Sequence, residues 1–107
     1  MAARLLLTTC PDEAVAGRIA RALVERRLAA CVTRVPGAVS VYRWQGRVEE
    51  DREVQLLVKT GAERLEAVIA AIRELHPDEE PECIAVDVTG GSRGYLEWIE
   101  ANIGGVD

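Results

Sequence analysis

Hydrophobic and polar positions change their period several times along the chain, and each change marks an element. Arg4 to Thr9 carries Leu5, Leu6 and Leu7 at adjacent positions, the pattern of a central strand buried on both faces. Beyond Pro11-Asp12-Glu13, Val15, Ile19 and Leu23 recur at helical spacing with Ala16 and Ala20 beside them, which predicts a helix ending near Leu28. Pro11 suits a first helical position, and Asp12 and Glu13 favour the positive end of the helix dipole. From Ala29 to Thr60 the chain becomes rich in β-branched and aromatic residues and reads as one long β-hairpin turning at Gln45-Gly46. Each arm exceeds the usual strand of about five or six residues, so part of the hairpin is expected to project from the domain. Pro36-Gly37 interrupts the outgoing arm, and because Pro donates no ladder hydrogen bond this predicts a bulge or bend on an edge strand. A protruding ribbon with an unpaired edge invites association unless another chain covers it, so self-association is expected.

The second half repeats the alternation of helix and strand. Thr60-Gly61-Ala62-Glu63 has the form of a capping box. Leu65, Val68, Ile69, Ile72 and Leu75 then trace one helical face, and His76-Pro77 ends it, since Pro disfavours helical geometry in the residue before it. Cys83 to Val88 reads as a strand with Ile84, Val86 and Val88 turned inward. Thr89 to Ser92 is a loop, a last helix carries Tyr95, Leu96, Trp98 and Ile99, and the tail is expected to fray at Gly104-Gly105. The order β-α-β-β-α-β with an extra C-terminal helix is an α+β, ferredoxin-like arrangement. Right-handed crossovers place its first and third strands at the sheet centre and its helices on one face.

Composition narrows the function. The 107 residues make room for one domain, 1–107, and nearly half of them are hydrophobic, enough for a core of this size. No apolar run approaches the ~20 residues of a membrane span, and the N-terminal apolar stretch is too short for a secretory signal, so the expected setting is cytoplasmic with no membrane partner. Cys10, Cys31 and Cys83 are odd in number, far apart and without CxxC spacing, which argues against a disulfide framework and a CxxC copper chaperone. A net charge of −5 argues against nucleic acid and is compatible with attracting cations.

Several blocks together resemble a known family. They are Leu28-Ala29-Ala30-Cys31-Val32, Pro36-Gly37, Tyr42 through Glu50, Leu57-Val58-Lys59-Thr60, His76-Pro77 with Pro81-Glu82, and Tyr95-Leu96-Glu97-Trp98-Ile99. Over essentially the whole chain they resemble the CutA divalent-cation tolerance proteins. The resemblance implies a ferredoxin-like protomer similar to PII signalling proteins, a compact homotrimer built through the long hairpins, and a role in tolerance to copper and other divalent metals, with no established catalysis. The chain departs from the family at Asp78, where members commonly carry Tyr after the Pro. Some bacterial members bind copper through a Cys in the first strand and two His residues before that Pro, and these positions here hold Thr8, Leu75 and His76.

The candidate chemistry follows from topology. The first strand and the second helix end at the same edge of the expected sheet, which brings Cys10, His76, Asp78 and Glu79 to one end, and thiolate, imidazole and carboxylate suit Cu(II) or Zn(II). His76, Cys10 and Glu79 are therefore the candidate metal ligands, while Cys31 and Cys83 read as small buried hydrophobes. Trp44 and Tyr42, at the far part of the hairpin with Pro36 and Gly37, are the expected oligomer interface, since a monomer would leave the indole exposed. Tyr95 and Trp98 are expected in the core or in an interface. An alternative reading is a PII-like sensor holding a small anionic metabolite between subunits through Arg43 or Arg47. No Walker motif supports nucleotide binding, and Cys10-Pro11-Asp12-Glu13 lacks the anion cradle of an acylphosphatase. The central strands lack the aromatics of an RNA-binding sheet. With a single His and no activated nucleophile, the chain reads as a non-enzyme.

Overall fold

The computed structural model describes residues 2–104, so the expected fraying at Gly105 lies outside the described residues. Four strands form one antiparallel sheet: β1 (Ala3–Cys10), β2 (Cys31–Trp44), β3 (Arg47–Gly61) and β4 (Ile84–Asp87). They stand in the order β2-β3-β1-β4, with the first and third strands central as the crossover rule requires. Helices α1 (Glu13–Glu25) and α2 (Leu65–Leu75) cover one face, and α3 (Arg93–Ala101) closes the chain. The fold is the ferredoxin-like α+β sandwich.

The core lies between the two long helices and the sheet. Leu6 and Cys10 of β1 and Val54, Leu56 and Val58 of β3 meet Val15, Ala16, Ile19 and Leu23 of α1 and Val68 and Ile72 of α2. The alternation within β1 and β3 puts every second residue on that face. The start of α1 differs from the sequence reading by one step. Asp12, not Pro11, governs it: Asp12 is the extended N-cap and its carboxylate accepts from the Val15 amide at 2.9 Å, leaving Pro11 outside the helix. At the other end Arg27 takes a positive φ of 58° and donates to the carbonyl oxygens of Ala101 and Gly104 at 2.9 Å, while the Gly104 amide donates back to Arg27. That exchange ties Gly104 down where fraying was expected. With Ile99 and Ile103 packed on Ala30, it docks α3 as a small second cluster.

The hairpin forms as predicted. Gln45 and Gly46 have φ of 51° and 79°, the paired positive values of a type I′ turn. The β2–β3 register slips between Val35 and Ala38, so Pro36-Gly37 is the β-bulge, with Gly37 at a φ of 82°. The bulge changes which residues of β2 share a face. Before it, Cys31 and Thr33 lie opposite Lys59 and Leu57; after it, Ser40, Tyr42 and Trp44 lie opposite Asp51, Glu49 and Arg47. A one-residue insertion in a period-two element forces this change.

Two expectations are corrected. Thr60 makes no capping box: residues 62–64 form a 3₁₀ turn without a side-chain cap, and the Thr60 hydroxyl donates instead to the Leu28 carbonyl at 2.6 Å. In β4, Ile84 and Val86 face away from α1 and α2 and are 57% and 49% exposed, because their neighbours across the sheet, Leu7 and Leu5, belong to the face those helices leave open. Thr60 sits wholly buried, so Thr60→Val should strand the Leu28 carbonyl and cost about 1–2 kcal/mol in thermal or denaturant unfolding, whereas Glu63→Ala should stay within about 0.5 kcal/mol. The reverse ranking is what a capping box would produce.

Candidate functional site

The distal hairpin overhangs the segment between α2 and β4, and the two enclose a groove of about 950 Å³. Ser40, Tyr42 and Trp44 line one wall together with Asp51 and Glu53, and Pro77, Asp78, Glu79, Glu80 and Glu82 line the other. The bulge makes this wall possible, since it brings both aromatic rings to one side of the ribbon with Asp51. Tyr42 donates its hydroxyl to the Asp51 carboxylate, and that bond with the surrounding carboxylates pushes the phenol up to about 12. Six carboxylates line the groove with Arg52 as the one lining cation among the described residues, and Arg73 reaches Glu80 at 2.8 Å. The crowding of negative charge shows in Glu82, raised by burial and then by Glu53.

The structure brings His76, Cys10 and Asp78 to one end of the sheet as the topology implied, but it does not assemble them as metal ligands. His76 is buried with both ring nitrogens engaged: Nε2–H donates to the Thr9 carbonyl at 2.8 Å, and Nδ1 accepts from the Asp78 amide at 3.0 Å. Those bonds make His76 a clasp between the end of β1 and the turn after α2, and they leave no lone pair for a cation. Cys10 is wholly buried in the core, and its thiol is pushed up to about 11 by desolvation and then by Asp12, Glu53 and Asp78. A thiol held protonated is a poor ligand. Glu79 reaches the groove, apart from the histidine ring's engaged nitrogens. No group of three or more His, Cys, Asp or Glu side chains is arranged to hold a metal ion among the described residues. Thr8 is buried with its hydroxyl unpartnered among the described residues.

The remaining candidates lie on the ribbon and the last helix. Trp44 is 60% exposed and Tyr42 is exposed, and Pro36 and Gly37 sit exposed at the bulge. Arg43 lies opposite Val48 and Arg47 opposite Trp44, so the two guanidinium groups leave opposite faces of the ribbon and form no anion cradle within one chain. Tyr95 and Trp98 stack at 5.5 Å on the outside of α3 rather than in the protomer core. The acidic groove itself was not foreseen. Its walls are 24 or more residues apart in sequence, and the one signal available was the density of Asp and Glu in residues 49–53 and 78–82.

The chain is thus a ferredoxin-like protomer with an overlong, bulged hairpin. Residues 4–102 match the family model of the CutA1 divalent ion tolerance proteins, and the chain belongs to that family. It is 49% identical over 100 residues to the divalent-cation tolerance protein CutA of Thermus thermophilus, covering 94% of this chain and 97% of that one. It is 43% identical to the protein of the same name from Pectobacterium atrosepticum, covering 92% and 90% of the two chains. Among solved structures, the T. thermophilus protein superposes with a TM-score of 0.94 at 48% identity, covering 95% and 99% of the two chains. The Xylella fastidiosa CutA structure superposes with a TM-score of 0.93 at 51% identity, covering 95% and 98%.

The buried clasp predicts a double outcome for His76→Ala. Unfolding stability should fall by about 1–3 kcal/mol as the Thr9 carbonyl and Asp78 amide lose their partner, while a Cu(II) isotherm should remain unchanged. A selective loss of copper binding at unchanged stability would show that the ring turns outward to a metal.

Proposed function

We propose that the chain acts without catalysis in divalent-cation tolerance, as a homotrimer closed through the β2–β3 hairpin. The observation that carries the assembly is the apolar surface the protomer leaves uncovered. Val39, Val41 and Val48 lie exposed on one face of the ribbon and Trp44 on the other, and the open sheet face adds Ile84 and Val86. The protomer is also drawn out to 44 Å along its long axis against 26 and 21 Å across. Such a ribbon is protected when it lies along another copy and satisfies that copy's sheet edge. Cyclic closure consumes every edge and stops growth. Three-fold closure rests on the family resemblance.

Divalent cations, copper included, would be cargo for this assembly rather than resident cofactors. The engaged ring of His76 and the protonated Cys10 do not fit a tight copper site, so the binding expected is weak and centred on the groove carboxylates, Glu79 among them. Carboxylate oxygens in a wide, solvated groove hold divalent ions chiefly through charge. The same engagement of His76 supports the non-catalytic reading, because the only imidazole cannot act as a base and Cys10 is no nucleophile. The PII-like alternative gains no support within one protomer, since Arg43 and Arg47 diverge.

Light scattering at micromolar concentration should give three times the chain mass, and Trp44→Ala should shift the equilibrium toward smaller species. A monomeric mass for the native chain would sink the assembly, and a stable dimer its three-fold form. Calorimetric titration with Cu(II) should show weak, salt-sensitive binding that Glu79→Gln with Glu82→Gln reduces. A tight, salt-insensitive isotherm would refute the groove as the site. Acyl phosphates and nucleotides should not turn over.

A further inference from the structure

The three cysteines differ in burial and in neighbours, and one of them has a reaction partner built into the sheet. Cys10 is buried in the core and its thiol is raised first by burial, and the Cys83 thiol is likewise raised, first by burial. Cys31 is only half-buried and lies directly opposite Lys59 in the β2–β3 register. Lys59 Nζ donates to the Cys31 sulfur at 3.6 Å and to the Thr33 hydroxyl at 2.7 Å. Register rather than a chance rotamer keeps the pair together, because opposed residues on one sheet face hold their Cβ atoms within about 5.5 Å. Thr33, two residues along on the same face, steers the amine toward the sulfur. A partly exposed thiol beside an ammonium group is the setting in which cysteines oxidise, whereas Cys10 is protected from it.

We infer that Cys31 and Lys59 form an oxidative sulfur–nitrogen crosslink, a sulfenamide, when the protein meets hydrogen peroxide. In the first step the Cys31 thiolate attacks one peroxide oxygen. The S–O bond forms as the O–O bond breaks, the sulfur is oxidised to sulfenic acid, and the peroxide is reduced. The departing hydroxide takes a proton from the Lys59 ammonium and leaves as water. In the second step the Lys59 amine attacks the sulfenic sulfur. The S–N bond forms, the S–O bond breaks, and the hydroxyl departs as a second water with a proton from nitrogen. Thiolate, ammonium and one peroxide become the crosslink and two waters. Thiols restore both side chains, so the link is a reversible mark of oxidant exposure at the β2 margin of the open sheet face.

Intact mass spectrometry of the assembled protein after hydrogen peroxide treatment tests this. The expected product is about 2 Da lighter than the native chain, yields a proteolytic fragment joining Cys31 to Lys59, and reverts with dithiothreitol. Lys59→Arg keeps the positive charge but should stop the reaction at sulfenic acid or beyond, about 16 or 32 Da heavier. Cys31→Ser should abolish both products. Native chain that gains oxygen without forming the joined fragment, or that stays unmodified while a peptide spanning Cys31 is oxidised, would overturn the inference.

Discussion

Strand β3 carries the molecule. Its proximal part, Val54 to Gly61, is paired on one side with β1 and on the other, through Lys59, with β2, and it supplies Val54, Leu56 and Val58 to the core. Its distal part, from Arg47 to Glu53, has only β2 beside it in the sheet among the described residues. One strand thus serves as the spine of a stable sandwich and as half of a free ribbon. Removing backbone pairing from one side of a long strand is tolerable only if solvent, charge or another chain satisfies the vacant groups. The charged run Glu49-Glu50-Asp51-Arg52-Glu53 favours solvation of that stretch in the lone protomer, and the valines and Trp44 of the ribbon are left exposed.

The bulge at Pro36-Gly37 turns that geometry into a site. Without it, alternation along β2 would continue and Tyr42 and Trp44 would lie on the face opposite to Cys31 and Thr33. The inserted residue brings both rings to the side of Asp51 and Glu53, against the loop that follows His76. His76 in turn holds that loop to β1 through two backbone contacts. The groove therefore depends on a bend in one element and a clasp on another.

Much of this was legible from local pattern. Gln45-Gly46 required positive φ, Leu65 to Leu75 kept one helical period, and the chain order admitted few topologies, so hairpin, helix and sheet order followed. What local pattern misjudged was decided by distant contacts. Ile84 and Val86 alternate like an inward strand, yet which face is covered depends on where α1 and α2 pack, beyond any short window. Thr60 had two possible partners, and the buried Leu28 carbonyl, 32 residues away, claimed it over the helix start. His76 was correctly placed beside the end of β1, but residue type says nothing about lone pairs, and the backbone of Thr9 and Asp78 had taken both.

That last difference bears on how a protein of this family can deal with divalent ions. A chelate needs convergent donors that can give up their protons, and the interior here works against that: burial and then the carboxylates of Asp12, Glu53 and Asp78 keep the Cys10 proton on, and both ring nitrogens of His76 are engaged. The groove instead gathers carboxylates near the surface, where they repel one another. On the proposed reading, their repulsion would ease as cations gather, so that occupancy would follow ambient concentration. In a cyclic assembly such grooves recur at each copy, and neighbouring ribbons would bring their acidic runs closer. Weak sites multiplied in this way respond over a concentration range where a single tight site would already be full. On the proposed reading, divalent-cation tolerance would draw on the charge the fold leaves outside the core rather than on the thiol and imidazole it buries.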